Sequence, residues 1–369
     1  MLINELPDDC MLAIFDQFNN LHHLMACYKV CLKWSHLIAK RAKKVKYFID
    51  WPDYSPDYVF YEDRDLIDVA GLRTLFPNLI VAEFSNRFNV KVKFEDIVEF
   101  VRNHESLKGM INSSCVVMEE YCDKLEMLAT DRIEPGSLRN CSSLKQLHVY
   151  KYTLDDFKRD AQYLPNLERL RILINDSYLN GPVLEKLKVV EMASCLTRTF
   201  YGFQFMDSCP NLQSAHIVMN VHRLFVDETL KHESLQDLVI HFFYKGQIWN
   251  DLKRTLMKYP NLKHFSLSTE YMTDEYIEQL VHILPNLVIF DVRGCRGVTQ
   301  RAASYVQNYF ERNGRSTKFY FNGNRHEIKS DWPQLYTNSS KICRGFDFMK
   351  HCFLGCFHLL PRFLIPIYY

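Results

Sequence analysis

Within "HCFLGCFH", His351, Cys352, Cys356 and His358 bring together imidazole and thiol side chains, the ligands zinc prefers. A closed zinc site needs four donors that can converge. A CxxxC with flanking histidines and no second pair elsewhere falls short, so no metal is assigned. The chain holds 14 histidines and 12 cysteines, enough for chance triads on paper. None stands in a nucleophile context, and GxSxG, HExxH and CxxC…CxxC are all missing. Phosphate-cradling loops need glycine so that the backbone can approach the ligand. Glycine is scarce here, 12 of 369, and neither GxGxxG nor GxxxxGK[ST] occurs. No catalytic residue and no cofactor is assigned, and a non-enzyme is expected.

Bulk composition points the same way. Apolar residues make up 47% and charged residues 24%, the balance of a soluble chain able to bury a large core. A net charge of +1 gives no sign of nucleic acid or of an anionic membrane as partner. The start, "MLINELPDDC", lacks a basic segment followed by an apolar run. The cysteines are therefore expected as small buried hydrophobes in a reducing cytoplasm or nucleus, and the sequons at Asn112, Asn140, Asn175 and Asn338 as accidental. The last 18 residues, "CFLGCFHLLPRFLIPIYY", are apolar, but His358, Pro361, Arg362 and Pro366 interrupt them. They make a poor membrane span and are expected to cap the last repeat or to remain disordered.

The elements that must position any site come from repetition. Pro-Asn-Leu recurs at Leu79, Leu167, Leu212, Leu262 and Leu287, with related starts at Leu125, Leu144, Leu184 and Leu235. A variant of LxxLxL follows, as in Leu167/Leu170/Ile172 and Leu262/Phe265/Leu267. From Leu212 onward the anchors are 23, 27 and 25 residues apart. The alternating part predicts a short strand. Between anchors, Thr273-Asp274 predicts a helix cap and Ile277, Leu280, Val281 and Leu284 a helix face. Neither element can bury its apolar side alone, so the units must stack, giving parallel strands on a concave side and helices on a convex one. The steps from Leu167 to Leu184 and from Leu184 to Leu212, 17 and 28, fit this scheme poorly. The unit "PNLVIFDVRGCRGVTQRAASYV" resembles the cysteine-containing leucine-rich repeats, with Cys295, Val298 and Thr299 at matching offsets.

Residues 1–45 read as three short helices. Pro7 with Asp8 and Asp9 opens the first; Met11, Ile14, Phe15 and Phe18 form one apolar stripe. Leu21, Leu24, Met25 and Tyr28 form a second, and Val30, Cys31, Trp34, Leu37 and Ile38 a third. The basic run "KRAKKVK" predicts a solvated helix end. Forty residues cannot hide this many apolar side chains by themselves. The order Leu6-Pro7-acidic-acidic, Leu12-x-Ile14-Phe15, Leu24, Val30-Cys31-x-x-Trp34 resembles the F-box, with His23 where Asp commonly stands and Asn19-Asn20 in place of the usual turn.

The resemblance implies an F-box followed by a curved leucine-rich-repeat solenoid, an α/β fold. It divides the chain into the F-box (1–45), a connector and irregular capping repeat (46–78), the repeats (79–325) and a tail (326–369). It implies a Skp-type adaptor as partner, bound through Leu6, Pro7, Leu12, Ile14, Phe15, Leu24, Val30, Cys31 and Trp34. The chain then reads as the substrate-recognition subunit of an SCF-type ubiquitin ligase, or as an interaction scaffold without ligase activity. Strand alternation predicts a target surface on the concave side, formed by His148, Tyr150, Arg169, Arg171, Lys186, Lys188, His216, His241, Asp291 and Arg293. Four basic residues on two neighbouring strands suit an acidic or phosphorylated peptide.

Overall fold

Repetition in the sequence becomes a parallel ladder in three dimensions. The structure, a computed structural model, describes residues 3–53, 55–62, 69–84, 93–112, 122–194, 197–243, 248–335 and 340–369. Asn338 and part of the expected connector lie outside the described residues. The chain divides into two compact units, Met1–Leu144 and Lys145–Tyr369.

In the first unit, Pro7 and the acidic pair start α1 (Asp8–Phe15), and Asn20 caps α2 (Leu21–Tyr28) by accepting from the His23 N–H at 3.3 Å. Helix α3 (Leu32–Ala42) closes the set. Met11, Phe15, Leu21, Leu24, Leu37 and Ile38 form its core. Arg41 is fully buried rather than solvated with its basic neighbours. Its guanidinium donates to Asn19 Oδ1 at 3.0 Å and to the Tyr58 carbonyl at 3.3 Å, tying the helices to the sheet behind them. That sheet holds β1 (Tyr47–Ile49), β2 (Tyr58–Phe60), β3 (Val81–Phe84), β4 (Gly109–Asn112) and β5 (Met127–Thr130), in the order β2-β1-β3-β4-β5 and all parallel.

The second unit continues the pattern through β6 (Gln146–Thr153), β7 (Arg169–Ile174), β8 (Val189–Ser194), β9 (Thr199–Phe200), β10 (Ser214–Met219), β11 (Arg223–Leu224), β12 (Asp237–Phe242), β13 (His264–Ser268), β14 (Ile289–Asp291) and β15 (Lys318–Tyr320). All but β9 and β11, which pair with each other, belong to one parallel ladder. The strand register corrects one expected anchor. Arg169 sits opposite Val189 and Val189 opposite Ser214. The counterpart of Leu167 and Leu212 is therefore Leu187, not Leu184, and the steps become 20 and 25 residues. The shorter step has no room for a helix, and none lies between β7 and β8.

The recurring asparagine has its own task. Directly before six of the anchors, a side chain donates to the carbonyl two residues before the preceding anchor. Asn211 bonds Glu185 at 2.8 Å, Asn261 bonds Glu233 at 2.9 Å and Asn286 bonds Pro260 at 2.9 Å. Ser234 does the same to Pro210 at 2.9 Å. In the first unit Asn78 and Ser106 repeat it on Lys43 and Pro77, at 2.8 and 3.0 Å. Each rung satisfies a carbonyl that the strand ladder cannot reach. Asn261→Ala is expected to lower unfolding stability by about 1 kcal/mol, read as an earlier urea midpoint with an unchanged slope. An unchanged midpoint would remove the rung from the account of stability.

Candidate functional site

Two surfaces stand out, one in each unit. On the three helices, Phe15 and Leu24 are core residues that position the rest, with the Phe15 ring edge-on to Trp34 at 5.1 Å. Trp34 is half-buried and donates through Nε1 to Asn4 Oδ1 at 2.7 Å. Leu6, Leu12 and Cys31 are half-buried and Pro7 is exposed. Ile14, Val30 and Leu32 are 36%, 57% and 73% exposed, and Ile3 and Tyr28 also reach solvent. The apolar stripes are thus wider than the core they serve. The remainder faces outward.

The second surface is the strand face opposite the leucines of the repeats. Gln146 and His148 lie on β6, Arg169 and Arg171 on β7, Val189 and Glu191 on β8, and Ser214 and His216 on β10. The chain's own C-terminal segment covers this face. After the helix Gln300–Arg312 and β15, the segment forms β16 (Ile342–Arg344) and β17 (Phe363–Ile365), a parallel pair of their own. It packs Phe348, Cys352, Phe353, Phe357, Leu360 and Leu364 against Val189, Val239 and Ile289. The expected cap or disordered tail is instead the cover of the sheet.

Polar contacts fix this cover in place. Arg169, 2% exposed, pairs through Nε at 3.0 Å, and through Nη2, with the fully buried Glu191. The same guanidinium donates to the carbonyls of Pro361 at 2.6 Å and Arg362 at 3.3 Å. Arg171 donates to the Phe357 carbonyl at 3.1 Å, and its guanidinium carbon lies 4.3 Å from the Phe357 ring centre. Gln146 bonds the main chain of Leu364 in both directions, at 2.7 and 3.0 Å. The Arg362 guanidinium stacks 4.3 Å from the Tyr150 ring and meets His148 Nε2 at 2.5 Å.

Burial first, and then the cations of Arg171, Arg362 and Arg169, hold His148 well below the usual imidazole range. Burial, with His241 beside it, pushes His216 down to about 3. Burial would lower the Arg169 guanidinium as well, but the Glu191 carboxylate more than reverses that and raises it. Both histidines are neutral in the fold.

The residues expected to bind a target separate into three groups. Arg169, Arg171, His148 and His216 lie under the segment, and Tyr150 is half-buried at its margin. Lys186 and Lys188 precede β8 instead of standing on it, because the anchor is Leu187. Lys186 reaches Asn166 Oδ1 at 2.5 Å and Lys188 reaches Glu168 Oε2 at 3.0 Å. Asp291 and Arg293 form a two-pronged pair at 2.8 Å each, and His241 stacks on His216 with ring centres 5.2 Å apart. The supposed row of four cations is two arginines on the strand, of which Arg169 is paired with Glu191. Sequence reasoning missed Glu191, Val189 and Val239. The signal was present: "VVEMA" and "LVIHF" run apolar on both faces, as strands covered on both sides do.

Of the four candidate metal ligands, Cys352 is buried while Cys356 and His358 are exposed, and His351 Nε2 bonds the Arg344 carbonyl at 2.9 Å. Among the described residues no cluster of three or more His, Cys, Asp or Glu is placed to hold a metal, and no helix is long and apolar enough to cross a membrane.

No family model and no curated protein matches the chain. Among solved structures it is similar to the TLR13–ssRNA13 complex at 16% identity and TM-score 0.38, over 60% of this chain and 40% of that one. It is also similar to the LRIM1/APL1C complex at 12% identity and TM-score 0.32, over 75% of this chain and 48% of that one. The chain thus spans less than half the length of either. The leucine-rich-repeat architecture rests on the strand ladder and its anchors.

Two outcomes follow from the buried charges. Glu191→Leu leaves Arg169 unpaired and is expected to cost roughly 3 kcal/mol, whereas adding Arg169→Met should recover part of that loss in a double-mutant cycle of urea melts. A double variant as damaged as the sum of the singles would mean the two do not act as a pair. His216, depressed from its ordinary 6.5 to about 3, binds no proton in the fold but binds one when unfolded in mild acid. Its contribution to stability is therefore complete above pH 6.5 and declines as pH falls toward 3. From pH 6.5 to 5 the loss is about 2 kcal/mol, and His216→Gln should flatten the melting profile over that window. An identical slope in the variant would contradict this assignment.

Proposed function

We propose that this chain is the substrate-recognition subunit of an SCF-type cullin–RING ubiquitin ligase, working in the cytoplasm or nucleus. The three N-terminal helices dock a Skp-type adaptor, and the repeats present a target protein. The observation that carries the reading is the uncovered apolar set Pro7, Ile14, Val30 and Leu32 on a unit whose core is already filled by Met11, Phe15, Leu24 and Leu37. A helical unit with a complete core gains nothing in water from further exposed aliphatic side chains, while a partner that buries them gains about 25 cal/mol per Å². Leu6, Leu12, Cys31 and the edge of Trp34 complete that surface; Phe15 and Leu24 act on it from within.

The chain contributes no catalytic group in this reading. It holds a target near a charged conjugating enzyme, so that an encounter between three bodies becomes one within a single complex. The alternative is an interaction scaffold that engages the adaptor without ubiquitin transfer. It is favoured by the burial of Arg169 and Arg171, which withholds these two cations from an acidic target.

Ile14→Asp combined with Leu32→Asp is expected to abolish co-purification of a Skp-type adaptor. Both positions reach solvent, so the melting temperature should hold. Continued adaptor capture by the folded variant would remove the F-box reading. Ubiquitination of a bound target in a reconstituted complex separates ligase from scaffold.

A further inference from the structure

The C-terminal segment meets the sheet in two ways. Its earlier half is anchored by apolar packing, with Phe348 and Phe353 in one cluster with Val239 and Ile289. From Gly355 onward the apolar packing of Phe357, Leu360 and Leu364 is joined by polar contacts to the main chain. Carbonyl oxygens of Gly355, Phe357, Pro361, Arg362 and Leu364 accept from His216, Arg171, Arg169 and Gln146 at 2.6–3.3 Å. Side chains of the strands are reading a main chain that makes one 3-10 turn at Phe357–Leu359 and is extended at Phe363–Ile365. One side chain is read as well: Arg362, between the Tyr150 ring and His148.

The pairing beneath the segment is incomplete. Glu191 Oε2 and His148 Nδ1 are buried 4.0 Å apart, beyond hydrogen-bond reach, and His216 Nδ1 is buried with no hydrogen-bond partner among the described residues. A buried polar atom without a partner costs about 1–3 kcal/mol, so an occupant that satisfied one would offset part of the resident's advantage from tethering.

We propose that the face formed by β6, β7, β8 and β10 is a peptide groove, that residues 355–365 are its tethered occupant, and that its partner in trans is a peptide carrying an arginine flanked by apolar residues. This deepens the proposed function by naming the kind of target segment, and rests on that reading only for the statement that the peptide belongs to a target.

The test uses the full chain and a fluorescent synthetic peptide copying residues 353–369. Leu364→Asp removes an apolar anchor of the tethered occupant and should tighten binding of the free peptide by about ten-fold, because the competent fraction rises. Tyr150→Ala added to that chain, or alanine at the arginine of the peptide, should cancel the gain. Phe357→Ala, a milder change, should act in the same direction as Leu364→Asp. Hydrogen exchange on the same samples should show residues 355–365 losing protection while β12, β13 and β14 keep theirs. Three results would overturn the proposal: no gain in either loosened chain, loss of protection across β12–β14, or equal binding of an acidic peptide of the same length. Adaptor capture is measured separately, so failure here leaves the ligase reading standing.

Discussion

A carboxylate sealed from water has to meet a cation, and in the second unit that demand falls on Glu191. Its pairing with Arg169 sets how β7 and β8 present their second face, and the guanidinium then turns its remaining donors to the carbonyls of Pro361 and Arg362. One ion pair thereby joins two neighbouring strands to a segment almost two hundred residues away in sequence. Such a pair is a weak source of net stability, since desolvation offsets most of the attraction. Its geometric demands make it a source of specificity here. Only a segment offering main-chain carbonyls in the right places can complete it.

The same constraint separates the two units. In Met1–Leu144, Ile14, Val30 and Leu32 reach solvent on a set of helices whose core is already filled. In Lys145–Tyr369 the uncovered face of the strands is filled from within the chain. One unit therefore leaves apolar side chains open, and the other covers its own strand face.

The repeats were legible because their signal is local and recurs. Each anchor leucine fixes the next strand two residues on, and Thr273-Asp274 starts a helix (Asp274–Ile283) that buries Ile277, Leu280 and Val281 as their spacing requires. The phase around Leu184 was misread because Leu184 and Leu187 both satisfy the local pattern. Only pairing with β7 and β10 decides between them. The cover of the second face was not legible from position, since Gln146 and Leu364 stand 218 residues apart. Composition did carry part of it. Apolar residues at successive positions of a strand, as in Val189-Val190 and Leu238-Val239-Ile240, are costly unless something covers each face. Arg41 shows the opposite failure, a cation within a basic run that is drawn inward by Asn19 and a strand carbonyl.

The side chains that stand before those six anchors also decide where the chain can vary in length. From that residue to the start of the strand the distance is fixed, because rung and ladder must both close on the preceding copy. From the end of the strand to the next rung it is free, and the steps between anchors range from 20 to 27 residues after Leu167. Insertions and foreign loops are therefore tolerated on one edge of the stack and rejected on the other. A lineage can lengthen or exchange the connections on that edge, and so remodel what it displays, without ever disturbing the register of the sheet.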